Sequence, residues 1–123
     1  MKRSDVKLLV CDDSILARKS ITAMLNSFGY DNVLEVSNGE DAVITYKKEK
    51  PDVVFLDIVM PVKDGITATK EIREFDPEAK IVVISSVGTQ THLREVIKAG
   101  AKDFIQKPVE KEILKQILEN NLG

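Results

Sequence analysis

Five polar residues stand where apolar runs end. Asp12 and Asp13 follow the run from Val6 to Cys11, Asp57 follows Val53 to Leu56, Ser85 closes Ile81 to Ser85, and Lys107 lies just past Phe104 and Ile105. Carboxylates brought close together repel, and a hard divalent cation with oxygen ligands and several retained waters is the natural way to keep them ionised. That describes Mg2+, with Mn2+ as a substitute. Each residue also has an ordinary use on its own: Asp12 or Asp13 as a helix cap, Asp57 in a turn, Ser85 at a strand end, Lys107 as one more solvated lysine. Those uses explain neither why three acids should converge nor why a lysine joins them.

Convergence depends on the elements that carry these residues. Short β-branched runs alternate with longer stretches of helical periodicity, the pattern of a parallel sheet covered on both faces. Strands are expected at Val6 to Cys11, Val33 to Val36, Val53 to Leu56, Ile81 to Ser85 and Phe104 to Ile105, with the third and fourth central because they are almost wholly apolar. The first helix carries Ile21, Met24, Leu25 and Phe28 inward and ends at Gly29; the second runs from about Gly39 to Lys50, with Ala42, Val43 and Tyr46 inward, and Pro51 stops it. Ile66, Thr69 and Ile72 give the third its inner stripe, Leu93, Val96 and Ile97 the fourth, which ends at Gly100, and Ile113, Leu114, Ile117 and Leu118 the fifth. Such a (βα)5 chain is expected to form a doubly wound sheet of strand order 2-1-3-4-5, whose ligand site lies beyond the carboxyl ends of strands one and three. The five polar residues all fall on that rim.

Composition agrees with one compact domain. The 123 residues are 43% hydrophobic and 31% charged without repeats or low-complexity stretches. Eighteen basic and 20 acidic residues nearly cancel to a net charge of −2, so no broad positive field is offered to nucleic acid. A single cysteine, Cys11, excludes an internal disulfide, and neither a signal peptide nor a membrane span is visible. A cytoplasmic protein is expected.

The residues resemble the response-regulator receiver domains, and in particular their free-standing chemotaxis type. The likeness covers essentially the whole chain. It is carried by Val10-Cys11-Asp12-Asp13-Ser14, by Val54 to Pro61 around Asp57 with Asp64-Gly65 following, by Ile84-Ser85-Ser86, and by Lys98-Ala99-Gly100-Ala101 leading to Lys107-Pro108. It implies a flavodoxin-like fold and a single receiver domain over residues 1–123 with no output domain, since the chain ends at Gly123. By the family pattern Asp57 takes a phosphoryl group from a phosphohistidine on a sensor histidine kinase, or from a small acyl phosphate. Asp13, Asp57 and the backbone carbonyl of Val59 ligate Mg2+, Asp12 acts partly through water, and Lys107 clamps the phosphoryl oxygens. Ser85 then bonds the phosphoryl group, and Phe104 swings inward to repack the surface of helix four, strand five and helix five for a downstream target protein. A monomeric signalling switch follows, assisting its own phosphorylation and dephosphorylation without being a turnover enzyme.

Several residues have plainer readings. Phe104 is core in at least one state whatever else it does. Cys11 is expected to be a small buried hydrophobe, His92 a surface residue, and Gly65 to supply backbone freedom or close packing. The Lys107-Pro108 bond is a candidate for the cis form. Val59 and Val87 are apolar where many relatives place polar groups around the hydrolytic water, so a long-lived aspartyl phosphate is expected; Phe104 lacks the hydroxyl of the tyrosine seen in many chemotaxis relatives. Two rival functions are a phosphorelay intermediate, which would hand the group to a second histidine protein, and a Mg2+-dependent phosphohydrolase. The second wants another carboxylate two positions after the nucleophile, where this chain has Val59. A nucleotide-binding domain would need glycines in the loop after strand one, which reads Asp12-Asp13-Ser14.

Overall fold

The computed structural model describes residues 2–86 and 90–122, the side chains of residues 90–92 excepted. After a short 3-10 turn at Arg3–Asp5, strands and helices alternate: β1 (Lys7–Cys11), α1 (Ile15–Ser27), β2 (Asn32–Val36), α2 (Gly39–Glu49), β3 (Val53–Asp57), α3 (Gly65–Phe75), β4 (Ile81–Ser85), α4 (Gln90–Ala99), β5 (Asp103–Gln106) and α5 (Lys111–Leu122). The strands form one parallel sheet in the order β2-β1-β3-β4-β5. This is the flavodoxin-like, doubly wound arrangement that the alternation of runs demands.

Because successive strand residues point to opposite faces, each strand feeds two cores. Leu9, Cys11, Val54, Leu56, Ile81 and Val83 pack beneath α2, α3 and α4 with Val43, Tyr46, Ile72 and Val96. Leu8, Val10, Val53, Phe55, Val82 and Ile84 face the other way, against Ile21 and Leu25 of α1 and Leu114 and Leu118 of α5. Every residue of β3 and β4 is buried, as expected of central strands. Asp57 is therefore the last residue of β3, paired with Ile84, rather than the first residue after it.

Helix faces hold two corrections. Leu93 and Ile97 are exposed, leaving Val96 as the buried member of the stripe expected on α4, and Ile113 is exposed beside buried Leu114. Successive helix positions turn by about 100°, so neighbours of an inward residue sit on the shoulder of the stripe, and α4 and α5 bury only its centre. Helix α2 ends at Glu49, with Lys50 as a left-handed C-cap at φ +46°. Among the described residues no helix is long and apolar enough to cross a membrane.

Candidate functional site

The carboxyl end of β3 and the loops after β1 and β5 bring the acids and the lysine to one rim of the sheet. Local chemistry sets each of them. At the start of α1 the cap is Ser14, whose hydroxyl accepts from the Ala17 amide at 3.3 Å, and the Ser14 amide in turn donates to Asp12 Oδ1 at 2.9 Å. Helix capping thus falls to Ser14, which leaves Asp13 exposed and the second oxygen of Asp12 turned to the site. Asp12 is 1% exposed and Asp57 8%.

One oxygen from each of Asp12, Asp13 and Asp57 lies within 4.8 Å of the others. Lys107, placed directly after β5 by a hydrogen bond that its backbone N–H donates to the Ser85 carbonyl at 2.9 Å, reaches both buried acids: its Nζ donates to Asp12 Oδ2 at 2.8 Å and to Asp57 Oδ2 at 3.4 Å. Burial pushes the Asp57 carboxyl up; Lys107 draws it down and Asp12 pushes it up again, with a net rise. Burial lowers Lys107, but its hydrogen bond to Asp12 and the charge of Asp57 outweigh that and hold it above the usual lysine value. A buried carboxylate that is costly to ionise, beside two more carboxylates and an ammonium, is a site that gains from another cation. Hard oxygen donors at this spacing fit a divalent metal ion.

Ser85, the last residue of β4, is fully buried. Phe104 on β5 is half-buried against the core under α4. The Lys107-Pro108 bond is cis. Gly65 is required by close approach: a Cβ there would stand 2.1 Å from the Asp57 carbonyl oxygen, and the Gly65 amide donates to the Ile58 carbonyl at 2.8 Å. Cys11 is buried between the Asn38 carbonyl and Met60, and desolvation followed by the charges of Asp12 and Asp57 pushes its thiol up to about 12, so it is a small hydrophobe as expected. Val87 and the side chain of His92 lie outside the described residues.

Residue types alone did not point to Arg18. Its Nη1 donates to the Asp12 carbonyl at 2.8 Å while Nε pairs with Glu35 of β2 at 3.0 Å, which ties the acid loop to the sheet edge. An arginine one turn into a helix carries no mark of that role until β2 is placed beside β1.

Residues 8–119 match the protein family described as "Response regulator receiver domain". The chain belongs to that family. The receiver domain is 47% identical to the chemotaxis protein CheY of Thermotoga maritima, over 83% of this chain and 85% of that one. It is 40% identical to the CheY of Bacillus subtilis, over 95% and 98%. Among solved structures it superposes with a TM-score of 0.91 on a chain of the CheX-CheY-BeF3-Mg+2 complex from Borrelia burgdorferi, at 35% identity, covering 96% of this chain and 90% of that one. Receiver domains are signalling switches of two-component systems, and the chemotaxis type is the kind this receiver domain is similar to.

Proposed function

We propose that this receiver domain switches by phosphorylation of Asp57, with Mg2+ held by Asp12, Asp13, Asp57 and the backbone carbonyl of Val59. The observation that carries the proposal is the joining of Asp12, Asp13 and Asp57 within 4.8 Å of one another with Lys107 bonded to both buried acids. A carboxylate oxygen of Asp57 attacks the phosphorus of a kinase phosphohistidine; the new P–O bond forms as the P–N bond breaks, and the electron pair stays on the imidazole nitrogen. No base is needed, because the nucleophile is already ionised. When bound, the divalent ion supplies electrophilic stabilisation of the transferring oxygens. Lys107 supplies the second positive charge there, already aimed by Asp12.

Ser85 then donates its hydroxyl to a phosphoryl oxygen, and Phe104 turns inward. The face made by α4, β5 and α5 changes its affinity for a downstream protein. Exposed Leu93 and Ile97 on α4 and Ile113 on α5 give that face apolar anchors. The domain acts as a cytoplasmic monomer that is charged by a sensor histidine kinase and signals by binding, and it assists its own phosphorylation and dephosphorylation. Intact mass after incubation with Mg2+ and acetyl phosphate tests this: one phosphoryl group on the wild type, none on D57N and none with chelator. A modified D57N, or a chelator-insensitive wild type, would overturn it.

A further inference from the structure

The loop from Ile58 to Asp64 carries the Val59 carbonyl and is built around a strained turn. The Lys63 amide donates to the Pro61 carbonyl at 2.7 Å, closing a three-residue turn with Val62 at its centre at φ +69°. That is the rare γ-turn geometry, and a β-branched residue in the left-handed region is an outlier that surrounding structure must enforce. Val62 cannot enforce it, since the residue is 82% exposed.

The neighbouring residue does. Lys63 Nζ lies 2.7 Å from both carboxylate oxygens of Glu71 on α3 and 2.9 Å from Glu40 on α2. Its carbonyl accepts from the Gly39 amide, at the first residue of α2, at 3.1 Å. A Cβ on Gly39 would stand 2.1 Å from that carbonyl oxygen, so the loop and α2 meet as backbone against backbone. Lys63 is only 17% exposed at its side chain, and it joins both flanking helices to the loop from one position. A lone surface ion pair contributes little, but a single ammonium shared by two helices and backed by its own carbonyl restricts where the loop can go.

We propose that Lys63 is a positioning residue of the metal site: by bonding Glu40, Glu71 and the Gly39 amide it holds the strained Val62 turn and thereby the loop that presents the Val59 carbonyl. The proposal rests on the metal reading above. Simple electrostatics predicts the opposite sign, since removing a positive charge from the loop that presents a metal ligand should tighten binding of a cation. The sign of the effect is therefore diagnostic.

Two measurements on the full chain test it. Metal-free amide hydrogen exchange at Gly39 and Gly65 reads the loop directly, and calorimetric titration with Mg2+ reads the site. K63M is expected to speed exchange at both amides and weaken Mg2+ binding about 10-fold, the low end for losing a supporting contact around a metal, while K63R keeps both near wild type. In a V62G background, where the left-handed turn costs nothing, K63M is expected to lose distinctly less affinity. Unchanged exchange and equal or tighter Mg2+ binding in K63M, or a K63M loss of the same size in V62G, would overturn the proposal. A wild type that binds no Mg2+ would instead defeat the metal reading, and this proposal with it.

Discussion

Replacing Asp57 by asparagine should make the metal-free domain more stable at neutral pH, although it removes the group around which the site is built. Asp57 and Asp12 place oxygens within 4.8 Å, a repulsion of about 3.5 kcal/mol at an effective dielectric constant of about 20. Lys107 at 3.4 Å returns about 5 kcal/mol on the same scale, but that ammonium is shared with Asp12 at 2.8 Å and is partly exposed. Asp13 is exposed and solvent-screened, adding less than about 1 kcal/mol of repulsion. The charge terms nearly cancel, and the desolvation of a carboxylate whose side chain is 10% exposed decides the sign. An amide of the same shape avoids that cost, so D57N should gain about 1–2 kcal/mol, a rise in Tm of roughly 3–8 °C for a domain of this size. The assay is urea or thermal unfolding followed by circular dichroism in the presence of chelator. Because the folded pKa of Asp57 is raised, the wild-type penalty is full above that pKa. It fades as pH falls and is gone below the ordinary carboxylate range, so the two proteins should converge in acid. Mg2+ should narrow the gap at neutral pH by stabilising the wild type more. A D57N variant no more stable than wild type without metal would refute the account of the site as charge-frustrated.

Three other changes follow from the same geometry. Gly65→Ala places a Cβ 2.1 Å from the Asp57 carbonyl oxygen and 2.8 Å from the Ile58 Cα; backbone cannot yield cheaply there, so a loss of about 3 kcal/mol or more is expected in urea titrations. Lys107→Met leaves Asp12 and Asp57 buried without their ammonium and should cost about 2–3 kcal/mol of metal-free stability, less than a fully buried pair because Lys107 is partly solvated; unchanged unfolding would show that the bonds seen to Lys107 contribute nothing. Val59 is exposed two residues past Asp57 and offers water no polar partner; Val59→Asn should shorten the half-life of the phosphorylated protein at least about threefold, followed by loss of the added mass, and an unchanged half-life would locate the control of hydrolysis elsewhere.

Much of this was written in residue order. The apolar runs and helical stripes determined five strand–helix pairs, because only a doubly covered parallel sheet buries β3 and β4 on both faces. That topology then determined that Asp12, Asp13, Asp57, Ser85 and Lys107 share one rim, since all of them lie at carboxyl ends of parallel strands. Periodicity overstated the inner faces of α4 and α5, where Leu93, Ile97 and Ile113 turned outward. A stripe in the sequence shows which residues could be buried, whereas the width of the neighbouring surface decides how many are.

The tertiary structure alone decided the remainder. It made Ser14 rather than an aspartate the cap of α1, set Lys107 nearer Asp12 than Asp57, and showed Gly65 to be fixed by contact with the Asp57 carbonyl rather than by a special φ. It also brought Arg18 to Glu35 and Lys63 to Glu40 and Glu71, pairings across 17, 23 and 8 residues of chain. Residue type and local spacing carry the hydrophobic order of the chain, which is periodic and short-ranged. Which charge meets which is set by distances of a few ångströms between separate elements, and those exist only once the sheet has been assembled.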